Sequence, residues 1–160
     1  MYSRGKCLVV EDDLDVRELL SLILTGEGFD VYSVASGTEG LKVAQTTDLV
    51  LIALDLGPPG VDGQELGRSF KNASGAPLLV ITTKARAIND DEGLAVGADA
   101  YLVKPFRPAL LRMLANRLSP QKQLQTHTPQ NRTFIAANRP ASNFSLNNSA
   151  GFFVRLYRMR

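Results

Sequence analysis

One stretch narrows the possible folds of this chain more than any other. Six apolar residues, Leu49 to Leu54, run without a polar interruption and end at Asp55, and Gly57, Pro58, Pro59 and Gly60 follow almost at once. A strand with no polar alternation is buried on both faces, which is the condition of a parallel sheet under helices. The Gly/Pro turn after it places Asp55 at the carboxyl edge of such a sheet, where open α/β folds carry their chemistry. Asp55 therefore reads as a reactive carboxylate held at a strand tip.

The rest of the first 118 residues supplies the partners such a strand needs. Residues 7–10 read as a first strand, 31–34 as a second, 77–82 as a fourth with Pro77 tolerated at its start, and 100–103 as a fifth. Between them lie helical patterns. Val16, Leu19, Leu20, Ile23 and Leu24 fall on one helix face, closed by Gly26 and Gly28. A short helix over 38–44 turns Leu41 and Ala44 inward, and one over about 62–70 pairs Leu66 with Phe70. Gly67 weakens that helix by about 1 kcal/mol relative to Ala. Residues 72–75 read as a loop, and a less regular helix spans 87–96. Pro108 opens a last helix whose inward face is Leu111, Leu114 and Leu118. Five strands alternating with five helices predict an α/β fold, a (βα)5 doubly wound parallel sheet, for which the flavodoxin-like order 2-1-3-4-5 is the candidate.

Charge divides the chain. Residues 1–118 carry 12 Lys/Arg and 16 Asp/Glu, a balance of −4, whereas residues 119–160 carry 6 Lys/Arg and no acid, a balance of +6. The second part is rich in Gln, Asn, Ser and Thr with scattered apolar residues, too few to offset its ordering entropy, so residues 119–160 are expected to form a disordered basic tail. Its last nine residues, from Phe152, are basic and aromatic. The single cysteine, Cys7, heads an apolar strand and reads as a small buried hydrophobe. With no apolar run near the roughly 18 residues of a membrane span and no signal-peptide pattern, a cytoplasmic protein is expected.

If the sheet is parallel, the strand tips share one edge. Glu11 and Asp12 stand there after the first strand, Asp55 at the third, Thr82 at the fourth and Lys104 at the fifth. Three carboxylates in one cleft repel each other and call for a counter-charge. A hard divalent cation such as Mg2+ suits them, with Lys104 as a point charge and Thr82 as a hydroxyl donor. Together these groups make a site for a phosphoryl group, with Asp55 as nucleophile. Asp13, beside them, reads as a helix cap, and His127 has no other metal-ligating residue near it in sequence.

Val9-Val10-Glu11-Asp12, the segment from Leu54 through Asp55 to Pro59-Gly60 and Asp62-Gly63, Val80-Ile81-Thr82, the run Gly97-Ala98-Asp99-Ala100-Tyr101 and Lys104-Pro105-Phe106 resemble the response-regulator receiver domain of two-component signalling. The resemblance covers residues 6 to about 118. It implies a phosphoacceptor switch without separate enzymatic output, with Asp55 receiving a phosphoryl group from a sensor histidine kinase or phosphotransfer protein. It implies Mg2+ held by Asp12 and Asp55, by the Gly57 carbonyl and by Glu11, usually through water. Thr82 and Lys104 would bind phosphate oxygens, Tyr101 would change rotamer with Thr82, and the Lys104–Pro105 bond would be cis. A downstream protein or a second copy would dock on the face of the fourth helix, fifth strand and last helix.

Gly57-Pro58 departs from the larger side chains common in the family, Thr83 replaces a smaller residue, and Lys84 adds a charge near the site mouth. None removes a required group. Two other readings compete. An aspartyl-phosphate phosphatase would need a second Asp two residues after Asp55, where Gly57 stands. A DNA-binding regulator would carry an output module after Leu118, and no helix-turn-helix pattern follows it, so nucleic acid is not expected as a partner; residues 119–160 read either as a solvated tail or as the remnant of a truncated output domain.

Overall fold

The computed structural model describes residues 3–57, 63–83 and 96–120. Its elements are β1 (Lys6–Val10), α1 (Leu14–Gly26), β2 (Asp30–Val34), α2 (Gly37–Thr46), β3 (Leu49–Asp55), α3 (Gly63–Ala73), β4 (Leu78–Thr82), β5 (Ala100–Val103) and α4 (Pro108–Leu118). The five strands form one sheet in the order β2-β1-β3-β4-β5, every pair parallel. That is the doubly wound order expected from the sequence. The helix expected over 87–96 lies, apart from Val96, outside the described residues, as does the tail beyond Pro120.

Period-two alternation sorts the strand residues into two apolar layers. Cys7, Val9, Leu51, Ala53, Leu79 and Ile81 face one way, onto α1 and α4. Leu8, Val10, Ile52, Leu54, Val80 and Tyr101 face the other, where Ala44 of α2 and Phe70 of α3 meet them. With β3 and β4 flanked on both sides, no face of either is left to water, which is why neither shows polar alternation. One irregularity interrupts the layers. The β1–β3 register jumps from Lys6↔Leu49 to Cys7↔Leu51, leaving Val50 as the extra residue of a bulge. Gly5, at φ 117°, makes room for it, since a Cβ there would stand 2.7 Å from Val50 Cγ1.

The structure departs from the sequence expectations at three places. Leu19 belongs to the apolar repeat of α1, yet it is 43% exposed while Leu20, Ile23 and Leu24 are buried. The sheet and α4 cover only Leu20, Ile23 and Leu24 of this repeat fully, with Val16 half-buried, and Leu19 lies on the uncovered side of the stripe. Asn72 and Ala73, expected in a loop, continue α3. Gly67, expected as a flaw, is instead required: a Cβ at this position would lie 2.3 Å from Val96 Cγ1 and 2.9 Å from the Val96 carbonyl oxygen. The glycine lets the backbone before β5 press against α3.

Candidate functional site

The carboxyl edge of the sheet is built by register. Val10 pairs with Leu54, so Glu11 and Asp55 follow their strands side by side. Asp55 in turn pairs with Ile81, and Thr82 with Val103, which brings Thr82 and Lys104 to the same edge. The backbone N–H of Lys104 donates to the Thr82 carbonyl at 2.8 Å and extends this alignment past β5. The Lys104–Pro105 peptide is cis, as the resemblance implied.

Lys104 closes the site. Its Nζ donates to Glu11 Oε2 at 2.7 Å and to Asp55 Oδ2 at 2.8 Å, joining groups 93 and 49 residues away in sequence. Glu11 is buried, with 1% of its surface exposed, and Asp12 beside it is exposed. Carboxylate oxygens of Glu11, Asp12 and Asp55 lie within 4.8 Å of one another. One ammonium does not balance three carboxylates, and hard oxygen donors this close fit a divalent cation of the Mg2+ or Ca2+ kind.

Burial pushes the Glu11 carboxyl up to about 7; the hydrogen bond from Lys104 pulls it back and the charge of Asp55 adds to the rise. Burial by itself would lower the Lys104 ammonium, but its hydrogen bonds and charge contacts with Asp55 and Glu11 outweigh that and hold it above the ordinary lysine value. The lysine is thus firmly cationic, and Glu11 takes up a proton more readily than an ordinary glutamate.

The loops around the acids are pinned. Arg17 Nη1 donates to the Glu11 carbonyl at 2.6 Å and to the Asp12 carbonyl at 3.2 Å. Asp13 caps α1 by accepting from the Val16 N–H at 3.0 Å, the role expected for it. The Gly57 N–H donates to Asp55 Oδ1 at 3.1 Å. Gly57 adopts φ 67° with nothing within 4 Å of where a Cβ would stand, so its conformation and not its size makes it suitable here. Pro58 and Lys84 lie outside the described residues, and Thr83 is exposed just beyond β4.

Thr82 is buried, and Tyr101 is fully buried among Leu8, Leu54 and Val80. Sequence reasoning missed Arg17, whose only signal is a basic residue one turn into the helix after an acid pair. It also assigned no role to Asp99. Its Oδ2 accepts from Lys71 Nζ at 2.9 Å and from the Leu78 N–H at 2.7 Å, tying α3 and the start of β4 to the turn before β5.

A five-stranded parallel α/β sheet with an acid cluster and a lysine at its carboxyl edge defines the class of CheY-like signalling folds. The chain belongs to the response regulator receiver domain family, whose model matches residues 7–116. It is thus a receiver domain of two-component signalling. Among curated proteins it is 38% identical over 105 residues to the DNA-binding response regulator MtrA of Mycolicibacterium paratuberculosis, covering 66% of this chain and 47% of that protein. The MtrA of Mycolicibacterium smegmatis is 37% identical over the same length. The chain spans about half the length of these relatives. Among solved structures, chemotaxis response regulator CheY4 of Vibrio cholerae matches with TM-score 0.61 and 32% identity, over 71% of this chain and 98% of that one. TrrA of Thermotoga maritima, solved with Mg2+ and BeF, matches with TM-score 0.63 and 30% identity over 71% and 98%. Among the described residues no helix is long and apolar enough to cross a membrane.

Proposed function

We propose that Asp55 is the phosphoacceptor of this receiver domain, taking its phosphoryl group from a phosphohistidine of a sensor kinase or phosphotransfer protein. The observation that carries the reading is the bridge from Lys104 Nζ to both Asp55 and Glu11 beside the exposed Asp12. An Asp55 carboxylate oxygen attacks phosphorus, the P–N bond breaks, and its electron pair stays on the imidazole nitrogen. Asp12 and Asp55, with the Gly57 carbonyl and Glu11 through water, would hold Mg2+, whose charge would offset that gathering on the phosphoryl oxygens. Lys104 and the Thr82 hydroxyl bind phosphoryl oxygens, Lys104 exchanging one carboxylate partner for the new anion. Tyr101 follows Thr82, and the face of β5 and α4, to which the helix expected over 87–96 would belong, then takes a downstream protein or a second copy.

Incubation of the full chain with Mg2+ and acetyl phosphate, followed by intact-mass measurement, tests the reading. One added phosphoryl group on the wild type and none on Asp55→Ala is the expected result. No adduct on wild type, or one that persists in the variant, would overturn it.

A second reading rests on the relatives, which are named as DNA-binding regulators. Sequence-selective DNA binding by the full chain that survives moderate salt would favour it, because non-specific attraction of a basic tail falls steeply with salt.

A further inference from the structure

We propose that the basic, aromatic stretch 152–160 of this chain docks on the outward face of α1. Of the five exposed large hydrophobic residues among those described, three lie on this one helix: Leu14, Leu19 and Leu22, the last 72% exposed. Asp15, Glu18, Leu19 and Leu22 follow the i, i+3, i+4, i+7 spacing of a single helix face, opposite the buried Leu20, Ile23 and Leu24. An apolar stripe left to water and interleaved with carboxylates suits an occupant that is both apolar and cationic.

The chain contains such a segment. Residues 152–160 place Arg155, Arg158 and Arg160 among apolar and aromatic residues, without one carboxylate. The path also starts in the right place. Arg4 donates to the Glu27 carbonyl at 3.1 Å, at the C-cap of α1, and to the Ser119 carbonyl at the end of α4, so the chain leaves the domain beside α1. The 31 residues from Gln121 to Gly151 then separate Pro120 from the segment. A random coil of that length spans about 30 Å, against a helix of 13 residues that is about 20 Å long. Tethering at this length raises the local concentration to about millimolar, so a face too small to bind a free peptide can hold a linked one.

The balance of −4 in residues 1–118 and +6 in the remainder drives the approach and makes it sensitive to salt. The docking itself does not depend on phosphoryl transfer.

Paramagnetic relaxation on the full chain tests the proposal. A nitroxide is attached to a Ser149→Cys variant, where the fully buried Cys7 stays unlabelled, and leucine methyl signals are followed by NMR. Broadening at Leu19 and Leu22 with Leu66 unaffected is expected, reversed by high salt, by R155E/R158E and by Leu22→Asp. Uniform or absent broadening, or broadening that persists in R155E/R158E, would overturn the proposal. The same broadening in untagged, isotope-labelled protein mixed with tagged, unlabelled protein would overturn it too, assigning the face to a second copy.

Discussion

Lys104 Nζ lies 2.8 Å from Asp55 Oδ2, and it reaches that carboxylate from the far side of β4 while holding Glu11 at 2.7 Å. The lysine is the counter-ion of the resting site and, in the proposed phosphoacceptor role of Asp55, the group that meets the incoming anion. Lys104→Ala should therefore lose stability as well as phosphoryl transfer. Breaking a largely buried pair and leaving its carboxylates together costs about 3 kcal/mol. Urea denaturation in metal-free buffer measures the loss, and added Mg2+ should recover part of it. An unchanged midpoint would mean that the bridge contributes nothing to the resting fold.

Glu11 predicts a pH dependence of the metal-free protein. Its folded value of about 7 lies above the ordinary 4.5, so the folded state holds the proton where the unfolded chain has released it. The stability tied to this proton is fully present below about 4.5 and is lost as pH rises through about 7. Wild type should thus lose stability relative to Glu11→Gln across this window. Mg2+ should bind more tightly as pH rises over the same range, because it competes with the proton for the carboxylates. Thermal melts of both proteins with and without Mg2+ check the sign. Parallel curves for the two would contradict it.

Gly67→Ala separates local preference from packing. Helix propensity alone favours alanine by about 1 kcal/mol. The added Cβ would meet Val96 Cγ1 at 2.3 Å and the Val96 carbonyl at 2.9 Å, and backbone cannot swing aside as a side-chain tip can. Overpacking of this kind costs about 1–3 kcal/mol and should win. The variant should melt below wild type, and a rise in Tm would show that the contact yields freely.

Cys7 should be inert until the fold opens. It is fully buried, and burial pushes its thiol up to about 12. A disulfide reagent at neutral pH should label the unfolded chain at once and the native chain only at the rate of unfolding. As pH rises above the ordinary thiol value of about 9 the unfolded state loses the proton first, so this group makes the protein less stable in alkali, the effect being complete near 12. Rapid native labelling would contradict the burial of β1.

Much of the architecture is legible in the amino-acid sequence. The unbroken apolar run of residues 49–54 demands burial on two faces, and only helices on both sides of a parallel sheet supply that. The residue at or just after each strand end can then be read as a site member, because in a parallel sheet all such positions share one edge. The order of the strands is not legible in the same way. Periodicity says which residues face a core and not which strands are neighbours, so the order rests on the size of the chain and on the resemblance.

Three things belong to the tertiary structure alone, and each depends on distance between segments remote in sequence. That Lys104 bridges Glu11 and Asp55 rests on β4 lying between β3 and β5 with matched register. That Gly67 is needed and not merely tolerated depends on Val96, a residue of another segment. That Leu19 stays in water while Leu20 is buried depends on which side of α1 the sheet and α4 cover. Apolar character, turn chemistry and strand-tip carboxylates are local properties, written residue by residue along the chain. Close approach, shared protons and unfilled surface belong to pairs, and pairs exist only once the chain has folded.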